Sequence, residues 1–301
     1  MERLDLTSKE LEQLDSLNLK SYIINTESKF YLYNNKLLKI YLEYFYNDYE
    51  NMEIRFNIIN DLIRFLKEVN IPELVTPEKL ITIDEKFAGI LIPRIYGQNV
   101  SAIINSPNVP LNIKIEILKQ IGIILEKIKN LDAKYNAAFA DVHADNFMVS
   151  GINNQNLSDK SNIKTFGIDT EGMKFFNHTG NSNYYFGDNA NLDNLDKYEV
   201  NYAGLIIPST NTDIFCYVNM ILEFIAKDNE FHLKNIDEFK RYLDYLDKLD
   251  FDPKLLEAFA SIYKNDTPNI SPLPYLDTIN NLPEKTLKKL FRWNYGKNIF
   301  N

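Results

Sequence analysis

Residues 139–149 read FADVHADNFMV, and residues 163–172 read IKTFGIDTEG. Each is a short apolar run interrupted by polar residues: Asp141, His143 and Asn146 in the first, Asp169 in the second. Phosphoryl transfer needs a carboxylate that positions the attacking hydroxyl, together with hard oxygen ligands from two separate segments that hold Mg²⁺ against a triphosphate. A carboxylate, an amide and a second carboxylate in this order can supply both. Taken alone, Asp141 and Asn146 also read as turn residues, because Asp and Asn are favoured wherever the backbone needs a local hydrogen bond. Their order and their neighbours carry the functional reading.

Upstream, the period of the pattern says what these runs belong to. Thr7 and Glu10 have capping-box spacing, and Leu11, Leu14 and Leu17 recur on one side, which predicts a first helix over 8–17. The stretch SYIINTESKFYLYNNKLLKIYLEY then reads as three short strands rich in Tyr, Ile and Phe, broken at 25–28 and at Asn34 and Asn35. A helix follows over 50–69, with Ile54, Ile58, Leu62, Phe65, Leu66 and Val69 at helical spacing and Pro72 closing it. KLITID and FAGILIPRI are two further strands joined by a polar turn. Beyond Gly97 the chain is largely helical. An amphipathic helix is expected over 112–131, a helix apolar nearly all round at TDIFCYVNMILEFIA, and amphipathic helices over 235–249 and 253–264. A long polar segment at 177–202 separates the Asp169 run from the buried helix, and such segments are usually functional or disordered.

With this frame in place, the chain resembles the protein-kinase-like superfamily, in which a D-x-x-x-x-N catalytic loop precedes a metal-binding Asp on the next hairpin. The resemblance runs over most of the chain. It implies that Asp141 orients the acceptor hydroxyl, with His143 beside it in the catalytic loop, and that Asn146 and Asp169 bind metal. Lys39 in KLLKIY matches the third-strand lysine that holds the α- and β-phosphates, and Glu53 (or Glu50) the helix glutamate that pairs with it. ILIPRI matches the hinge, so that adenine would bond the backbone of Pro93 and Ile95, and Asp213 matches the buried aspartate that supports the catalytic-loop backbone. An isolated strand lysine or helix glutamate is more often a solvated surface charge. The six features stand here in family order.

Several positions depart from the family pattern. No glycine occurs in INTESKFYLY, where protein kinases use a Gly-rich loop so that backbone N–H groups approach the phosphates. Phe139 and Ala140 stand where His and Arg of H-R-D would be, and Asp169-Thr170-Glu171 replaces D-F-G. His143 gives the D-x-H-x-x-N form of aminoglycoside and choline kinase relatives. Switching by phosphorylation at Thr179, Ser182, Tyr184 or Tyr185 is not expected, because Ala140 removes the usual arginine and Lys197 is the one cation between 177 and 202.

Composition sets the outer bounds. The 301 residues suggest one large domain or two lobes, and 45% hydrophobic with 25% charged residues is ordinary for a globular chain. A formal charge of -9 and a pI near 5.0 argue against a nucleic-acid binder working through a general basic surface. One cysteine, Cys216, and three histidines (His143, His178, His232) leave no Cys/His cluster for a structural zinc. No apolar run approaches the ~20 residues of a membrane-crossing helix, and MERLDLTSKELEQLDSL has no apolar stretch of a secretory leader, so a cytoplasmic protein is expected, in the host cytoplasm if viral.

The fold expected is α+β and bilobal. A lobe over 1–97 holds a small five-stranded antiparallel sheet and a hinge at 93–95. A mainly helical lobe over 98–301 holds a catalytic loop at 139–149, a metal-binding hairpin at 164–173 and an activation-like segment at 174–208. The activity implied is ATP- and Mg²⁺-dependent phosphotransfer, with Mn²⁺ as a substitute, to Ser or Thr of a protein, as in an atypical bacterial or viral kinase-like protein. The alternatives are a small-molecule kinase of aminoglycoside or choline type, and a pseudokinase retained as a binding or scaffold module.

Overall fold

The computed structural model of the chain describes residues 2–14, 28–152, 160–180, 196–201, 205–226, 236–283 and 285–286. It divides into two compact units, Met1–Tyr96 and Gly97–Asn301. The first is a sheet with helices and the second is mainly helical, an α+β arrangement.

In the first unit β1 (Arg3–Leu6) leads through Thr7 into α1 (Ser8–Glu12). The capping box forms as its spacing predicts: Thr7 Oγ1 accepts the Glu10 N–H, and the Glu10 carboxylate accepts the Thr7 N–H at 2.7 Å. The helix is shorter than expected and closes on Gln13. Next come β2 (Ser28–Tyr33), β3 (Lys36–Tyr41), the short α2 (Leu42–Phe45), α3 (Tyr49–Val69), β4 (Lys79–Ile83) and β5 (Lys86–Pro93). The expected strand at 21–24 lies outside the described residues. Both hairpin turns are local chemistry. Asn34 and Asn35 (φ 45° and 61°) and Asp84 and Glu85 (φ 48° and 68°) take the two positive-φ positions that match a turn to the strand twist.

The sheet order is β1-β4-β5-β3-β2. It is mixed and not wholly antiparallel, because β1 runs parallel to β4 with Leu4 opposite Ile81 and Leu6 opposite Ile83. Leu6, Leu11, Leu38, Ile40, Ile83 and Ala88 bury one face of it. Strand alternation then puts Lys39 and Tyr41 on the other face, and α3 covers that face: Phe56 meets Phe87 edge-on at 5.3 Å, and the Arg55 guanidinium lies 4.5 Å from the Tyr41 ring centre. Gly89 lets β3 and β5 approach, since a Cβ there would stand 2.0 Å from the Lys39 carbonyl oxygen.

The second unit starts with β6 (Gln98–Asn99) and α4 (Val100–Asn105), a helix without a sequence-based expectation, then α5 (Leu111–Tyr135). β7 (Phe147–Ser150) and β8 (Lys164–Gly167) form a hairpin that β6 joins as a third strand. The rest is α6 (Thr210–Ala226), α7 (Ile236–Asp247), α8 (Pro253–Ser261) and 3-10 turns over Leu273–Asn281. α6 is buried almost all round, as its composition predicts. Each fully buried Leu, Ile or Phe there contributes about 1.5–3 kcal/mol, which makes this helix the pillar of its unit. Among the described residues no helix is long and apolar enough to cross a membrane.

Candidate functional site

The segment that carries Asp141, His143 and Asn146 rests on α5 and α6. α5 ends where Asn136 turns left-handed (φ 52°), and the chain then goes inside: Ala137, Ala138, Phe139 and Ala140 are all at most 1% exposed. Every N–H in such a run needs a partner within the protein. Ala138 exchanges both backbone bonds with Lys174, at 3.1 and 3.0 Å. Phe139 and Ala140 are served by a side chain. Asp213, in the first turn of α6, accepts the Phe139 N–H at 2.7 Å on Oδ2 and the Ala140 N–H at 2.9 Å on Oδ1.

Those two bonds hold a conformation that the loop would not choose. Ala140 has φ 72°, and the Asp141 N–H bonds back to the Phe139 carbonyl at 3.0 Å, a strained γ-turn in a non-glycine residue. Such geometry costs on the order of 1–3 kcal/mol and persists only where its surroundings over-determine it. The turn carries Asp141 out of the buried run to a side chain 24% exposed. Packing adds to the restraint. The Phe139 and Phe147 rings stack at 5.0 Å, and a Cβ on Gly180 (φ 70°) would press to 3.2 Å from Ala140 Cβ and 2.9 Å from the Gly172 carbonyl.

Burial pushes the Asp213 carboxyl up to about 7. The Phe139 and Ala140 N–H groups pull it down, the Asp132 carboxylate adds to the rise, and Lys174 opposes it weakly. Cys216, one turn further on, is fully buried and its thiol is pushed far up by burial, which leaves it a core residue.

A 3-10 turn at Ala144–Asn146 then returns the chain to Asp141. Asn146 Nδ2 donates to the Asp141 carboxylate at 3.0 Å and to its carbonyl at 2.9 Å. With the amide nitrogen committed to Asp141, the Asn146 carbonyl oxygen is the atom on offer to a cation. The Asn146 backbone carbonyl accepts the Ile168 N–H at 2.8 Å, so the β7–β8 hairpin sets Asp169 next to it in register. Asp169 is exposed and left-handed (φ 57°). An amide oxygen and one carboxylate are hard donors that suit Mg²⁺ or Mn²⁺, whose remaining positions go to phosphates and water. Among the described residues there is no group of three or more His, Cys, Asp or Glu placed to hold a metal by themselves.

His143 belongs to the same cluster. Its Nδ1 accepts the Asp145 N–H at 3.3 Å, and its Nε2 lies 3.4 Å from Asp141 Oδ2. Asp145 is held in turn by residues that the sequence reading did not single out: Asn99 Nδ2 donates to its carbonyl at 2.8 Å, and the Ser101 hydroxyl to its carboxylate at 2.5 Å. The available signal was Asn99 as the cap of α4, whose Oδ1 accepts the Ser101 N–H.

The first unit places its expected residues separately. Lys39 is 5% exposed at the centre of β3, and Pro93 ends β5 with Ile95 partly buried just beyond. Glu53 and Glu50 are both exposed on α3, and among the described residues neither is paired with Lys39. His232 and part of the segment with Ser182, Tyr184 and Tyr185 lie outside the described residues. The chain matches no protein-family model and no curated protein sequence.

Proposed function

We propose that the protein is a bilobal, protein-kinase-like phosphotransferase that moves the γ-phosphate of ATP to a hydroxyl, most simply a Ser or Thr of a protein. The observation that supports it most is the cluster held by Asp213: a buried carboxylate fixes the backbone before Asp141, Asn146 bonds Asp141, and the hairpin register brings Asp169 beside Asn146. Asp141 orients the hydroxyl, with Asn146 Nδ2 3.0 Å and His143 Nε2 3.4 Å from its Oδ2 to steady the carboxylate. Asn146 and Asp169 hold Mg²⁺, which neutralises charge on the phosphates when bound. Lys39 serves the phosphates, and Pro93 and Ile95 the adenine.

A pseudokinase is the second reading. Two observations favour it: INTESKFYLY contains no glycine, and Glu50 and Glu53 are exposed. The deciding experiment is thermal unfolding with ATP and Mg²⁺, with ATP and a chelator, and with neither, followed by transfer of labelled γ-phosphate to a mixed protein substrate. Nucleotide at about 100 times its Kd stabilises a protein by about 2.7 kcal/mol. A Mg²⁺-dependent shift with transfer supports the enzyme, absence of transfer with or without a shift supports the pseudokinase, and absence of any shift defeats the enzyme.

A further inference from the structure

Lys197 was the one cation in the polar segment, and its place in the fold gives it a different task from meeting a phosphate. Its ammonium points inward. It donates to the Ser261 carbonyl at 2.5 Å, to Asn269 Oδ1 at 2.6 Å and to the Thr267 carbonyl at 3.4 Å. An ammonium has three donors and no acceptor, so three converging oxygens saturate it. Two of those oxygens are backbone, and one of them closes the C-terminus of α8, where a helix favours positive charge. Burial pushes this ammonium down to about 8, the Asp266 carboxylate opposes that and Lys264 adds to it, so the group is charged at neutral pH.

The contacts continue towards the catalytic loop without a break. Tyr198, 4% exposed, donates its hydroxyl to the Ile262 carbonyl at 2.7 Å and accepts Asn269 Nδ2 at 2.8 Å. Asn269, 3% exposed, also donates Nδ2 to the Asn211 carbonyl at 2.6 Å, and its backbone N–H goes to Asn211 Oδ1 at 3.2 Å. Asn211 stands in the first turn of α6, two residues before Asp213, and Asp213 holds the N–H groups of Phe139 and Ala140. The other end of the segment is also tied down, by the Ala138–Lys174 bridge and by the Phe176 N–H on the Tyr135 carbonyl at 2.6 Å.

We propose that Lys197 is a positioning residue: a tethered internal cation that pins the end of the segment following Asp169 to α8 and, through Asn269 and Asn211, sets the first turn of α6 and so the loop carrying Asp141. The charge that other designs obtain by adding a phosphate is here built into the chain with opposite sign and needs no modification. The consequence for catalysis rests on the phosphotransfer reading, whereas the anchoring itself does not.

The test uses the full chain and amide hydrogen exchange, with Lys197→Met and with Lys197→Ala in the presence or absence of ethylammonium. Removing the charge leaves three oxygens facing a space that an alkylammonium fits. The amides of Phe139, Ala140 and Ile270 should exchange about tenfold faster or more in both variants, those of α5 should not change, and ethylammonium should restore protection in Lys197→Ala. In an active protein kcat should fall with KM for ATP unchanged, and ethylammonium should return it. Wild-type exchange at Phe139 and Ala140 in Lys197→Met overturns the proposal, as does loosening that ethylammonium leaves in place. Equal acceleration throughout α5 overturns it too, because Lys197 would then hold the whole unit and not this segment. A wild-type protein that transfers no phosphate defeats the phosphotransfer reading alone, since the exchange measurement needs no nucleotide.

Discussion

Replacing Asp213 separates two things that its carboxylate does, satisfying a backbone and carrying a buried charge. Asp213→Ala leaves the N–H groups of Phe139 and Ala140 without acceptors in a place where both residues are at most 1% exposed. Each orphaned buried donor costs about 1–3 kcal/mol, so the variant should lose roughly 2–6 kcal/mol, a large share of the ~5–15 kcal/mol that holds a typical domain. Asp213→Asn keeps one acceptor oxygen and should lose about half as much. The pH dependence gives a sharper test. The folded carboxyl sits at about 7, above its ordinary 3.8, so between those values the native state holds a proton that the unfolded chain releases. Stability from this source is full below about 4 and is lost as pH rises through about 7. With about 1.4 kcal/mol per pH unit, the wild type should gain about 2–3 kcal/mol over Asp213→Asn when pH falls from 7 to 5. Urea unfolding of both proteins at pH 5, 6, 7 and 8, followed by circular dichroism, reads this difference directly, because other carboxylates titrate alike in both. Parallel stability curves would refute the buried titrating carboxyl, and an Asp213→Ala protein as stable as wild type would refute its role in holding the loop.

Three further outcomes follow from the same geometry. Asp141→Ala should reduce transfer by about 10²–10⁴ while nucleotide binding, measured by calorimetry, stays within a few-fold, because a hydroxyl-orienting group acts mainly in the transition state. Turnover within a few-fold of wild type would remove Asp141 from the mechanism. Asp169→Ala should weaken ATP binding in Mg²⁺ but not in its absence, and unchanged Mg²⁺-dependent affinity would point to Glu171 as the ligand. Phosphatase-treated protein, its state checked by mass spectrometry, should keep its activity, since Ala140 offers no charge to a phosphate and Lys197 is engaged with three oxygens; a large loss on dephosphorylation at Thr179 would mean that another basic residue serves it.

Local signals made much of this architecture legible. Helical spacing identified α3 and α5, a run apolar nearly all round identified α6, Asp252 with Pro253 opened α8, and Asn34-Asn35 and the Asp84 turn placed the two hairpins, because each of these depends on neighbours within a few residues. The same holds for Asp141, Asn146 and Asp169, which one turn and one hairpin bring together.

What tertiary structure decided lies at long sequence separation. The parallel pairing of β1 with β4 joins residues 77 apart and left no mark in a four-residue RLDL, so a mixed sheet took the place of an antiparallel one. The left-handed Ala140 has no local cause either. A carboxylate 73 residues away holds its N–H, and the packing of Phe139 on Phe147 adds to the restraint. Lys197 makes the point most plainly. In the sequence it is a cation among acids, suited to solvent or to a phosphate, whereas in the fold the end of α8 and the Asn269 loop supply three oxygens that no pattern of nearby residues foretells. Period and turn chemistry are written along the chain, while the partner of a buried polar group is chosen only when distant segments pack.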